Sequence, residues 1–379
     1  MEKNKKVLVI GSGGRCHAIV DALSRSKRVA KIYCAPGNAG ISSQAECVDI
    51  SVTDVPALLE FAKSHDIDLT VVGPEASLAA GVVDAFREAG LKIFGPTKAA
   101  ARIESSKEYA KDLMARHNVP TASYRTFSDF NEALEYVKSG PIPIVVKYDG
   151  LAAGKGVVVA LTLSEAEDAL RDMLLDETFG KGRVVIEEFL DGPEFSFMCV
   201  VNGNKLYPLD IAQDHKRAYN HDKGPNTGGM GAFSPVPGIT PEIREVALRT
   251  VLQPVADAMV SEGVPFTGVL YGGLILHHGT PKVIEFNARF GDPETEVVLP
   301  RLKSDFYDFI EAAVESAPFE TKWKPESVLG VVMAAEGYPG KYHKGYEIKG
   351  LDKIAGSVYH MGTSKSGEKI LSSGGRVLM

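Results

Sequence analysis

The run Lys6-Val7-Leu8-Val9-Ile10-Gly11-Ser12-Gly13-Gly14 decides the fold. Four β-branched or leucine residues with no polar break predict a strand buried on both faces, and the glycines end it abruptly. His17–Ser26 then reads as a helix and Val29–Ala35 as a second strand. Further out come a helix over Asp54–His65 with Thr53 as its N-cap, a strand at Asp68–Gly73, a helix over Leu78–Ala89 closed by Gly90, and a strand at Leu91–Gly95. Short apolar strands alternating with helices predict a parallel sheet covered on both faces. Ligands of such sheets gather at the carboxyl ends of the strands. Those ends carry Gly11-Ser12-Gly13-Gly14, Ala35-Pro36-Gly37-Asn38, Gly73-Pro74-Glu75 and Gly95-Pro96, so a crevice is expected on that rim.

From Ser105 the pattern changes. A helix over Lys107–Asn118 and one capped by Ser128 precede the strand Ile144–Tyr148. The stretch from Asp149 to Gly156 and a strand at Val157–Leu161 complete a glycine-rich hairpin. Antiparallel strands are expected at Val184–Leu190, Phe195–Asn202 and Leu206–Leu209, then a polar stretch from Gln213 to Gly231. A long helix, Pro241–Glu262, leads to strands at Phe266–His277 and Lys282–Phe290, and the tail from Val328 reads as short strands with turns.

Composition excludes several classes. The chain has 379 residues, enough for two or three domains. Lys plus Arg number 42 against 49 for Asp plus Glu, giving 42 − 49 = −7, and no basic tract stands out. A general nucleic-acid binder is therefore not expected. Four cysteines at 16, 34, 47 and 199, without a C-x-x-C pair, predict reduced thiols in a cytoplasmic protein. Val7–Ile10 is too short for a signal-peptide core, and Val264–Pro281 is broken by four glycines and two histidines, so no membrane association is expected.

Three segments carry the chemistry. Gly11–Gly14 is either a tight turn or a phosphate cradle at a helix N-terminus. As a dinucleotide fingerprint it fails, because its third glycine would fall at Cys16 and no acid ends the second strand. Gly150–Gly156 is not a Walker A loop, since Gly156 follows Lys155 where Ser or Thr is required; it reads as a flap that covers a triphosphate. Lys147, on the strand before it, has either solvent or an anion as its partner.

In Glu285-Phe286-Asn287-Ala288-Arg289-Phe290 the strand period of two places Glu285, Asn287 and Arg289 on one face. A carboxylate and an amide oxygen so spaced suit Mg²⁺, and Arg289 suits a phosphoryl group or carboxylate; an ion pair on a half-buried strand is the other reading. Alternation likewise sends Glu187 and Glu188 to opposite faces. His215, His277 and His278 read as structural, and no serine or zinc hydrolase motif occurs.

Taken in order, Gly11-Ser12-Gly13-Gly14-Arg15-x-His17, Ala35–Gly40, Val71–Ala76, Gly95–Thr97 with Glu104–Lys107, Val145–Val157, Val185–Glu194, Gln213–Ala218, Gly224–Ala232 and Glu285–Thr295 resemble the glycinamide ribonucleotide synthetase family of the ATP-grasp superfamily. The resemblance implies an N-terminal Rossmann-like parallel-sheet domain (1–104), an ATP-grasp domain (105–315, with a mobile lid at about 121–189) and a small β-rich C-terminal domain (316–379), read as truncated and exposing apolar surface. It implies ATP-dependent ligation of glycine to 5-phosphoribosylamine through glycyl phosphate, with ATP and Mg²⁺ (or Mn²⁺), in a monomer or weak dimer. Lys107, Lys147 and Lys155 would hold the nucleotide phosphates, Glu187, Glu188 and Leu190 would border adenine, and Glu194 would take the ribose. Glu285 and Asn287 would bind metal. Arg289 and Lys147 would be catalytic, with Arg289 on the glycine carboxylate. Gly13, Gly14, Arg15, Asn38, Glu75, Asp214 and Lys216 would form the amine-substrate side. Cys16, Ser77, Tyr148 and Glu296 depart from the family pattern, where Glu, Pro, Ala and Gln stand. The alternatives are another ATP-grasp carboxylate–amine ligase or carboxylase, and a nucleotide-binding protein without activity.

Overall fold

The computed structural model describes residues 3–150, 156–221 and 223–379. Its first sheet is parallel, with β1 (Lys5–Gly11), β2 (Val29–Pro36), β3 (Glu46–Cys47), β4 (Leu69–Val72) and β5 (Ile93–Phe94) in the order β3-β2-β1-β4-β5. Leu8 and Ile10 of β1 pack in one core with Leu58, Val83 and Phe86. Val7 and Val9 join Ile19 and Leu23 in the other. Burial on both faces is what an unbroken apolar run requires.

The helices refine the sequence expectations. α1 (Gly14–Ser24) starts three residues before the expected His17, with Gly13 as its extended N-cap. α2 (Val55–Ser64) is capped by Asp54 rather than Thr53; its carboxylate accepts the Ala57 N–H at 3.1 Å. The single helix expected over Leu78–Ala89 is two, α3 (Glu75–Ala80) and α4 (Val82–Glu88), because Gly81 takes φ +85° between them. Such a left-handed residue ends a helix at little cost only when it is glycine. After α5 (Arg102–Ser105) and α6 (Lys107–Arg116) comes β6 (Tyr124–Phe127), and the next helix, α7 (Phe130–Ser139), is capped by Asp129, not Ser128.

β7 (Ile144–Tyr148), β8 (Val157–Ala160) and β9 (Val184–Glu188) join β6 in a sheet of order β6-β9-β7-β8. With α7 and α8 (Leu163–Leu174) it encloses a core of its own, including Leu134, Val146 and Leu170. Tyr148 packs over Gly150 and Gly182, its hydroxyl donating to the Gly180 carbonyl at 3.3 Å. The hairpin linking β7 to β8 is thus antiparallel as expected, while Leu151–Lys155 lie outside the described residues.

β10 (Glu194–Asn202), β11 (Lys205–Pro208), β16 (Thr267–His277) and β17 (Thr280–Asn287) form an antiparallel sheet of order β11-β10-β16-β17. The polar stretch that begins at Gln213 leads through four short strands before that return: β12 (Gln213–Asp214), β13 (Arg217–Tyr219), β14 (Lys223–Asn226) and β15 (Gly231–Ser234). The long helix is α9 (Pro241–Ala247) and α10 (Gln253–Ser261), joined by a wider turn at Leu248–Leu252 just before Pro254, which has no N–H to donate.

Beyond α11 (Thr295–Val298) and α12 (Phe306–Val314), β18 (Val328–Val331) pairs with β15. It leaves Leu329 and Val331 exposed, with Met333 beyond. The tail then folds back on the first sheet. His360 O accepts from Asn38 Nδ2 at 2.7 Å, and the His360 N–H donates to His17 Nδ1 at 2.8 Å. No described helix is long and apolar enough to cross a membrane.

Candidate active site

β17 presents the residues its alternation predicts. Phe286, Ala288 and Phe290 are buried, while Glu285, Asn287 and Arg289 point the other way into a polar cleft. Opposite Glu285 stands Gly273, whose missing side chain leaves room: a Cβ there would sit 3.2 Å from Glu285 Cγ. Burial pushes the Glu285 carboxyl up, but Lys216, Lys147, Lys107 and Arg289 outweigh it and hold it below the usual carboxylate range.

Arg289 is held on several sides. Its Nε lies 3.3 Å from Glu75 Oε2 and its Nη2 3.1 Å from Glu104 Oε1. Nη2 also donates to Asn287 Oδ1 at 3.2 Å. Burial disfavours the guanidinium charge, but Glu104 and Glu75 overcome that and hold its pKa above the ordinary value. Glu104 also accepts the Ala288 N–H at 2.8 Å, so one carboxylate fixes both backbone and guanidinium of the strand end.

The lysines converge from the opposite wall. Glu187 is buried and Glu188 exposed, as alternation requires. Glu187 Oε1 lies 3.0 Å from Lys147 Nζ, and Oε2 lies 2.8 Å from Lys111 Nζ. Lys147 also donates to Ile284 O at 2.9 Å, which anchors the lysine to β17. Burial lowers the Lys111 pKa to about 8, against the pull of Glu187. Lys107 is likewise lowered by burial, and its Nζ donates to Gly150 O at 2.9 Å. Asp149 Oδ1 accepts from the N–H groups of Lys107 and Glu108 at 2.6 and 3.2 Å, pinning the start of α6 to the glycine turn. Lys155 lies outside the described residues.

Glu188 accepts from Ser123, and Leu190 packs with Ala122, Ile275 and Ile284. Lys216 reaches Glu194 at 3.4 Å. Burial pushes Asp214 up to about 7, with Lys216 opposing and Glu294, Glu194 and Glu285 adding to the rise. Asp214 in turn is the main reason that the Lys216 pKa lies above the ordinary lysine value.

The N-terminal rim meets this cleft through Glu75, which lies 3.5 Å from Arg15 Nη2 as well as beside Arg289. Arg15 Nη1 donates to Phe290 O at 2.8 Å. Asn38 Oδ1 accepts the Gly40 and Ile41 N–H groups at 2.9 Å, and its Nδ2 donates to Ser12 O at 2.7 Å, tying its loop to the glycine turn. Four residues unforeseen in the sequence also shape the cleft: Lys111, Glu104, Asp292 and Arg376. Ser77 is fully buried, its hydroxyl donating to Val52 O at 2.7 Å, and the Cys16 thiol is packed beneath Gly11 and Gly73. Neither faces the cleft. Together the walls bring the amino groups of Lys107, Lys147 and Lys216 toward a carboxylate–amide–guanidinium strip, groups suited to a polyanion reacting beside a second anion.

Three family models match consecutive parts of the chain: the phosphoribosylglycinamide synthetase N domain at 5–104, its ATP-grasp (A) domain at 105–295 and its C domain at 328–379. The chain belongs to the phosphoribosylglycinamide synthetase family. Phosphoribosylamine–glycine ligase from Halalkalibacterium halodurans is 53% identical over 98% of this chain and 88% of its own length. The ligase from Listeria innocua is 54% identical over 98% and 90%. The crystal structure of the Thermotoga maritima ligase superimposes with a TM-score of 0.87 at 33% identity, covering 98% of this chain and 91% of that one. As a member of this family the chain is a ligase with the glycinamide ribonucleotide synthetase role in purine biosynthesis.

Proposed function

We propose that the chain couples ATP cleavage to joining glycine and 5-phosphoribosylamine in the cleft between β17, the lysine wall and the N-terminal rim. The observation that carries this reading is the shared face of Glu285, Asn287 and Arg289 opposite Lys107 and Lys147. A carboxylate is a poor acyl donor, because attack costs its resonance and oxide is a bad leaving group. Transfer of the γ-phosphoryl group to glycine gives glycyl phosphate, and attack by the neutral amine then expels phosphate. Such transfers depend on positioning and charge neutralisation rather than on an enzyme nucleophile. Lys107 and Lys147 hold the phosphates, with Lys155 assigned to the flap above them. Arg289 orients the glycine carboxylate and stabilises the charge that develops on it. Glu187, Glu188, Leu190 and Glu194 border the nucleoside. Residues 121–189 act as the lid that keeps water from the acyl phosphate.

Glu285 and Asn287 would hold Mg²⁺ or Mn²⁺, Asn287 Oδ1 having a second lone pair beside the one that meets Arg289. The Glu285 carboxylate is kept ionised and accepts no hydrogen bond from the described residues, and the Asn287 amide oxygen lies two residues along the same face. When bound, the metal supplies neutralisation of phosphate charge. Gly13, Gly14, Arg15, Asn38 and Glu75 receive the phosphoribosyl end, with Asp214 and Lys216 on the amine side.

A coupled assay with and without glycine and freshly made phosphoribosylamine tests the reading. ADP and phosphate should form only with both substrates; AMP as the main nucleotide product would overturn it. A second test concerns the rim. Gly13 caps α1 in an extended conformation, and a Cβ there would lie 3.4 Å from Asp292 Oδ2. Gly13→Val should obstruct anion approach to the α1 N–H groups and raise the KM for phosphoribosylamine roughly tenfold, or about 1.4 kcal/mol, with ATP affinity nearly unchanged. Equal losses for both substrates would remove the phosphoribosyl group from this loop.

A further inference from the structure

Glu296 is the second residue of α11 and is 2% exposed. Among the described residues it is the one carboxyl with both oxygens buried and without a hydrogen-bond partner. It points at the start of α1: a Cβ on Gly14 would fall 2.3 Å from Glu296 Oε1. An ionised carboxylate left so bare would be costly, whereas a neutral acid is tolerated.

Its surroundings give that proton a consequence. Asp292 lies between two guanidiniums, accepting the Arg15 N–H on Oδ2 at 3.3 Å and meeting Arg376 Nη1 at Oδ1, 2.9 Å away. Burial raises Asp292, but Arg376 and Arg15 hold it below the usual range. Burial and then Asp292 push Glu296 the other way, well above the carboxylate range. The remaining titratable groups that feel Glu296 are Cys16 and Tyr359. Burial raises the former to about 11 and lifts the latter above its ordinary value, so neither gains charge near neutrality. With Glu296 neutral, Arg15 and Arg376 face Asp292 and, 3.5 Å from Arg15, Glu75, so these charges balance and the α1 N–H groups are left to attract an anion. With Glu296 ionised, a third carboxylate joins them and opposes the anion.

We propose that Glu296 is a positioning residue of the phosphoribosyl site, leaving Arg15 and Arg376 with Asp292 and the α1 N–H groups open to a phosphate monoester only while it carries its proton. The ligand class is a sugar phosphate dianion, and its affinity falls as alkaline pH strips Glu296. This rests on the assignment of the glycine loop to the phosphoribosyl group.

Ribose 5-phosphate is the probe, because its second phosphate ionisation, near pH 6, is complete above pH 7.5. Its Kd is measured calorimetrically at pH 7.5, 8.5 and 9.5 on the full chain, with Glu296→Gln, Glu296→Met and Gly13→Val alongside. Wild type should weaken roughly fivefold or more across that range, and both neutral variants less than twofold. A role in packing alone would shift the variants' affinity at every pH and leave the slope, which overturns the proposal. So does a flat wild type. If Gly13→Val leaves the affinity unchanged, the loop is not the phosphoribosyl site and both readings fall. If Gly13→Val weakens binding while all slopes agree, only the role of Glu296 falls.

Discussion

Arg289→Lys should lower kcat with glycine by roughly 10²–10³, or about 3–4 kcal/mol, while Mg-ATP binding survives. The guanidinium meets Glu75, Glu104 and Asn287 in three directions at 3.1–3.3 Å, which a planar fork can do and an ammonium cannot. Lysine keeps the charge but loses that orientation, and it leaves Glu104 buried without its partner. The comparison is single-turnover phosphoryl transfer in Arg289→Lys and Asn287→Ala, with nucleotide affinity measured in parallel. Asn287→Ala should weaken the metal-dependent nucleotide interaction instead. Near-normal kcat in Arg289→Lys would make Arg289 a structural ion-pair partner and remove it from the reaction.

Glu187→Ala is expected to lower unfolding free energy by roughly 3–5 kcal/mol, the usual penalty for removing one partner of a buried ion pair. Glu187 is 3% exposed and compensates two lysines at once, at 2.8 and 3.0 Å. Without it both ammonium groups face the same dry wall. Urea midpoints at pH 7 report the loss. Because Lys111 already sits near 8 through burial, loss of Glu187 should drive it lower still and make the variant's stability rise with pH between about 7 and 10 as the unfolded chain holds the extra proton. A loss under 1 kcal/mol would show that solvent reaches the pair. Mg-ATP should partly restore stability, since its phosphates offer the lysines new partners.

The parts of this site that follow a period were legible in the sequence. The face shared by Glu285, Asn287 and Arg289 and the split of Glu187 from Glu188 both follow from two-residue alternation, and the parallel sheet buried on both faces follows from the apolar strands. What escaped was pairing across long separations. Lys111 looks like one more charge on a solvated helix, although it stands four residues from Lys107 and so on the same face. Only the fold brings Glu187 to it. Glu104 sits in the one-turn helix α5 and Asp292 in a turn, and their partners, Arg289 and Arg376, arrive from other elements. The helix break at Gly81 escaped because glycine inside an apolar helical pattern is tolerated often enough to pass as interior.

The return of the tail onto the first sheet also sets an order of events during synthesis. Asn38 and His360, joined at 2.7 Å, are 322 residues apart. At roughly 5–20 residues per second the ribosome needs on the order of 16–64 s to travel between them. The parallel sheet and its glycine loop therefore leave the exit tunnel well before the wall carrying His360, Met361 and Arg376. During that interval the nascent chain lacks Arg376 beside Asp292. A premature stop between Met361 and Arg376 would spare the lysines and Arg289 yet leave Asp292 without Arg376, and such a product would bind nucleotide without a finished seat for its partner substrate.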